Sequence, residues 1–169
     1  MPEPVQGQFA DPTTATIATF LLGIGLDLRA GTVAGPRPLP GIDIDRGVLI
    51  VDESHLLHPG DLLHEAGHLA VVPPDRRAAF HRNVGDDPAE EMMAIAWSYA
   101  AALHLEIDLA VLFHQDGYRG GSEAILAAFQ PGPGFGTPML DYVGMAHAGT
   151  RPFPPGAKPF PAMIRWLRP

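Results

Sequence analysis

The chain has 169 residues, 46% of them hydrophobic and 18% charged, a balance that excludes a disordered chain and suits a single domain over 1–169 with a sizeable core. A net charge of −8 leaves none of the clustered Lys and Arg that phosphate binding needs, so nucleic acid is not an expected partner. There is no cysteine, which removes disulfides, Cys-ligated zinc, iron–sulfur clusters and thiol nucleophiles together.

The first ten residues carry one Glu and no Lys or Arg, unlike the basic start of a secretory leader. The longest apolar stretch, 15–26, is about half of a membrane span and is broken by Thr16, Thr19, Gly23 and Gly25. The expectation is a soluble, cytoplasmic protein with no membrane partner. Asp11-Pro12 opens a first helix, as cap and first-turn proline. Its apolar stripe is Ile17, Phe20, Leu21, Ile24 and Leu28. The Pro- and Gly-rich run 35–41 makes an extended loop.

A hairpin follows, with Ile42-Asp43-Ile44 alternating, Asp45-Arg46-Gly47 turning, and Val48-Leu49-Ile50-Val51 as an unbroken apolar run. That run suits a core strand. A second role, as an edge strand pairing with an extended peptide, stays open. A helix starting at Pro59 stops before Pro73-Pro74, and 75–86 is a polar connection with a helical turn near 78–80. Asp87-Pro88-Ala89-Glu90 starts a long helix, apolar nearly all round through 103 and therefore central. Shorter helices are expected at 108–113, 122–130 and 137–145, capped by Asp108, Ser122 and Thr137. The stretch 148–161, with five prolines, reads as an extended arm wrapping the domain, and 162–167 as a last short amphipathic piece.

One motif carries chemistry. His64-Glu65-Ala66-Gly67-His68 lies inside the predicted helix between Pro59 and Pro73. Residues four apart on a helix differ by about 40° in azimuth and about 6 Å in rise, so His64 and His68 converge on one ion from one face. Neutral imidazoles suit Zn²⁺, and a catalytic zinc wants three protein ligands and an open position. Glu65 is within reach of that position as general base. In a chain with 8 His and 7 Glu, chance supplies roughly 0.015 such matches, so a metal site is the stronger reading.

This pattern resembles the zincin metallopeptidases. The metzincin extension is missing, because Val71 and Pro74 stand where it needs Gly and His. What is left is similar to the gluzincin arrangement, in which a Glu on a following helix is the third ligand. The compact ImmA/IrrE-type peptidase domains carry E-x-x-A-x-x-F-A in that helix. Here Glu91-Met92-Met93-Ala94-Ile95-Ala96-Trp97-Ser98 follows the pattern, with Trp for Phe and Ser for Ala. The likeness spans about 48–103. Glu90 competes for the ligand role, but with Asp87 as cap it stands at the position that folds back onto the cap's amide. Glu91 has no such duty, and a carboxylate at the head of an apolar run needs a positive partner.

The resemblance implies an α+β, zincin-like domain. A short twisted sheet would pack on the motif helix, with a second helix supplying Glu91 beside His64 and His68. It implies one Zn²⁺ per chain, a peptide or protein substrate, and hydrolysis by an activated water with Glu65 as base. A metal-binding regulatory or protein-interaction domain with little cleavage is the alternative. Asp61, one turn before His64, is either an acceptor for an imidazole N–H or a carboxylate favoured by the helix dipole. Tyr99, His104, Tyr118, Arg119, Tyr142 and His147 are all candidate oxyanion donors, and spacing selects none of them. His55, His58, His81 and His114 are taken as ordinary polar residues.

Overall fold

The computed structural model describes residues 8–130, 132 and 134–169. The leader question therefore falls largely on residues outside that range. The described chain is mixed α+β, with helices around a three-stranded sheet. No described helix is long and apolar enough to cross a membrane.

Helix α1 spans Pro12–Gly23, and the Asp11 carboxylate accepts the Thr14 N–H (2.7 Å), as its capping position demands. Ile17, Ala18 and Leu21 are buried on its inner face, but the expected stripe breaks at Gly23. Leu28 belongs instead to a strand, β1 (Leu28–Ala30), which pattern reading missed because three residues carry too little alternation to register. β2 (Ile42–Asp45) and β3 (Val48–Val51) form the expected hairpin. Its two-residue turn has positive φ at both Arg46 (49°) and Gly47 (82°), the geometry that matches the twist of paired strands.

The sheet order is β1-β3-β2, with β1 parallel and β2 antiparallel to β3. β3 is thus central. The core-strand reading of 48–51 holds and the edge-strand reading does not, because strands bond to it on both sides. β2 and β1 are the edges.

Helix α2 spans Gly60–Ala70 and packs chiefly on α4 (Pro88–His104). The start and the body of α4 follow the chain chemistry: Asp87 accepts the Ala89 and Glu90 N–H groups, and Trp97, Ala100, Ala101 and Ala102 lie inside. The polar connection contains α3 (Pro74–Ala79), a full short helix where one turn was expected, opened by Pro74 itself. Further on come α5 (Leu109–Leu112), α6 (Ser122–Phe129) and α7 (Thr137–Tyr142). Asp108 caps α5, but Ser122 and Thr137 cap nothing. Each lies inside its helix, and its hydroxyl donates to a backbone carbonyl of an earlier residue, His114 or Gly134.

The stretch 148–161 holds no helix or strand. It returns on itself, the Phe160 N–H donating to the His147 carbonyl (2.8 Å) while Phe160 enters the core. The last residues are also non-helical. Trp97 Nε1–H donates to the Trp166 carbonyl (2.9 Å), and Phe20 meets the Trp166 ring edge-on. Sheet, α1, α2 and α4 contribute to one hydrophobic core, with Ile44, Leu49, Leu62, Leu69 and Trp97 almost fully buried.

Candidate metal centre

His64 and His68 lie one turn apart on α2, and Glu91 is in the first turn of α4. The two helices approach closely where α2 carries Gly67, and this brings the three side chains together. The His64 and His68 Nε2 atoms are 3.3 Å apart. His68 Nε2 lies 2.9 Å from one Glu91 oxygen, and His64 Nε2 lies 3.4 Å from the other. A tetrahedral ion with bonds of roughly 2.0–2.1 Å has ligand–ligand edges of ~3.3 Å. The three contacts are of that order, the two to Glu91 being made by different oxygens, and imidazole and carboxylate are both ligand types for such an ion.

The protonation state of His64 fits a ligand, while His68 donates its Nε2–H to Glu91 here, a proton that an ion at the triad would move to Nδ1. Burial, with His68 beside it, holds the His64 imidazole down at about 4, so it is neutral with a lone pair to offer at neutral pH. The hydrogen bond from His68 holds the Glu91 carboxyl below its usual range, against burial. With the His64 Nε2 lone pair facing the triad, its proton sits on Nδ1, 3.3 Å from the Tyr118 hydroxyl. Burial, then the Glu91 charge, pushes the Tyr118 phenol well above its usual range. It stays protonated at neutral pH, although the Ser98 hydroxyl beside it acts in the opposite direction.

Tyr118 and Arg119 both sit at positive φ (52° and 54°), a conformation that costs non-glycine residues about 1 kcal/mol or more each. The strained pair delivers the Tyr118 ring edge-on to His64, with centroids 5.1 Å apart.

Glu65, on the same helix, faces a neighbouring recess formed with β2 residues Ile42 and Ile44 and with Arg82 and Asn83. Burial raises its carboxyl, the charges of Glu91, Asp61 and Asp43 acting in the same direction and His68 against them. Glu90 is placed differently from the reading above. Its carboxylate does not return to the Asp87 amide but forms a two-pronged ion pair with Arg76 of α3. The Arg fork outcompetes a capping box that depends on a single backbone N–H.

His64, Glu91 and Tyr118 line a cleft of about 490 Å³ whose rim is formed by Pro38, Leu39, Pro40 and Leu57. The loop 35–41 therefore walls the site. Asp61 lies in the first turn of α2, as its helix-dipole reading had it; it is buried and accepts a hydrogen bond from an imidazole, but not from one of the triad. The imidazole is that of His114 (2.7 Å). His58 and His114 read as ordinary polar residues in the sequence, yet both line this cleft. The signal for them was weak, since only the tertiary fold brings 58 and 114 together.

Of the remaining oxyanion candidates, Arg119 lines the cleft. Tyr99 stacks on Phe129, His104 packs against Trp166, His147 lies against Phe153, and Tyr142 is exposed. Comparison with protein-family models, curated proteins and solved structures finds no match.

Proposed function

We propose that this chain is a zinc-dependent peptidase of the zincin, gluzincin-like type. The supporting observation is the His64–His68–Glu91 triad, two imidazoles and a carboxylate with contacts of 2.9–3.4 Å, with Glu65 on the same helix turned to the adjoining recess and within reach of the charges of His68 and Glu91. A bound zinc ion would supply an acidified water and a positive pole for a substrate carbonyl.

The chain's own residues then divide the remaining work. Glu65, its carboxyl raised by burial, takes the proton of the attacking water and returns it to the leaving amine. Tyr118, kept protonated, donates its O–H to the oxygen that gains charge at the carbonyl carbon. Its Oη meanwhile accepts the His64 Nδ1–H and fixes that ring's tautomer.

One observation favours the alternative of a regulatory or narrowly selective domain. The outer edge of β2, the strand beside Glu65, is engaged at Ile44. Its C=O accepts the Arg82 N–H (2.7 Å) and its N–H donates to the Asp43 carboxylate (2.9 Å). A peptide adding as a further strand there has to displace Arg82. This suits a protein that cleaves one cognate partner rather than unfolded chains in general.

The test is zinc content and peptide cleavage by wild type and by Glu65→Gln. One zinc per chain in both, with turnover only in wild type, supports the peptidase. Zinc in both with no turnover on any peptide supports the regulatory domain. A wild-type chain that takes up no zinc at the triad overturns both.

A further inference from the structure

A second group of acceptors lies in the same cleft, apart from the triad. His114 follows α5, and its position is pinned: its carbonyl accepts from Ser122 Oγ (2.6 Å) and from the Gly117 N–H (3.0 Å). Its side chain is 10% exposed. Nε2 lies 2.7 Å from Asp61 Oδ1, so the carboxylate accepts the Nε2–H and the ring's lone pair is left on Nδ1. That Nδ1 is buried and has no hydrogen-bond partner among the described residues. An imidazole that gives one N–H to a buried carboxylate and keeps its other nitrogen bare is arranged as metal-ligating histidines are.

The neighbours are of ligand type too. His58 stacks on His114 with ring centroids 3.6 Å apart, and His58 Nε2 lies 3.2 Å from Asp116 Oδ2. One ring nitrogen from each histidine and an Asp116 oxygen lie within 4.8 Å of one another. We infer that His58, His114 and Asp116 form a second divalent-cation site at the mouth of the cleft, with Asp61 orienting His114.

This site is looser than the triad. His114 is the fixed ligand, while His58 and the exposed Asp116 (side chain 65% exposed) have to swing inward to close on an ion. Its affinity is accordingly lower, and imidazole–carboxylate chemistry suits Zn²⁺ and its neighbours in the transition series. Asp61 belongs to the same helix as the two triad histidines, one turn before His64, so α2 links the two centres although they share no ligand.

The inference does not depend on the triad binding zinc. The experiment is Zn²⁺ titration of chelator-stripped protein, read as bound ions per chain by native mass spectrometry and calorimetry. It uses wild type, His58→Ala, Asp116→Ala and His64→Ala, each checked for wild-type circular dichroism. The site predicts two ions in wild type, the second bound more weakly. His58→Ala and Asp116→Ala each lose the weaker ion and keep the tighter one. Bound ions that all survive both His58→Ala and Asp116→Ala overturn the inference, and so does a single wild-type ion that only His64→Ala removes. If His64→Ala keeps both ions while His58→Ala and Asp116→Ala each lose one, the triad reading fails and the second site stands.

Discussion

Gly67 and Ala94 mark the point where α2 and α4 come closest. A methyl group on Gly67 would stand 2.8 Å from the Ala94 carbonyl oxygen and 3.2 Å from its Cα. Both neighbours are helix backbone and cannot turn aside. Gly67 occupies one of the two variable positions of the His-Glu-x-x-His motif, and Ala94 lies one turn after Glu91. The spacing that lets Glu91 reach both histidines thus depends on a missing side chain.

Gly67→Ala is expected to push α4 outward and cost about 1–3 kcal/mol, the usual price of overpacking, less the fraction of a kcal/mol that Ala gains in a helix. Zinc affinity should fall with it. Gly23→Ala is the control, because a Cβ there meets nothing within 4 Å. Thermal melts of both variants, with and without zinc, check the expectation. Equal behaviour of the two would show that the close approach does not matter.

Glu90 and Glu91 are adjacent but point to different partners, and truncation should separate them. Glu91→Ala is expected to weaken zinc binding by more than the roughly 10–100-fold that loss of an outer-sphere partner brings. Glu90→Ala removes only the Arg76 pair, whose Arg is half-exposed, so it should leave zinc bound and cost less than about 1 kcal/mol. Zinc affinity by competition with a chromogenic chelator measures the first effect, and urea denaturation the second.

Tyr118→Phe should leave zinc content unchanged while lowering kcat roughly 10²–10³-fold, the effect of removing one donor to a developing oxyanion. KM should move little, because the lost hydrogen bond matters most in the transition state. A Tyr118→Phe chain with normal kcat would assign the phenol to positioning His64 alone.

The acid side of stability should depend on Asp52. The Ser54 hydroxyl and the Val33 N–H hold its carboxyl down at about 2, against burial, with His55 assisting. A folded value below the unfolded one stabilises the native state above the unfolded pKa. That contribution fades as pH falls through the folded value. The stability difference between wild type and Asp52→Asn is therefore expected to be full above about pH 4 and to shrink between there and about pH 2. Urea midpoints of both proteins across this range test it, and a pH-independent difference would remove Asp52 as the cause.

How much of this was readable beforehand varies with distance along the chain. The α+β class, the 42–51 hairpin and the starts of α1 and α4 follow from local chemistry: Asp11 and Asp87 as caps, Pro12 and Pro88 in the first turn, Arg46-Gly47 in the turn. β1 was not readable, since three residues become a strand only because β3 lies beside them. The pairing of Glu90 was not readable either, because Arg76 reaches it from another helix.

By itself the sequence determined that His64 and His68 share one face with Glu65 beside them. The helical period enforces that arrangement whatever packs around it. The tertiary structure alone decided what meets that face. Tyr118 reaches His64 across 54 residues and His114 reaches Asp61 across 53. Contacts of that span leave no periodic trace, because they arise from loop closure and from packing of whole elements against a common core.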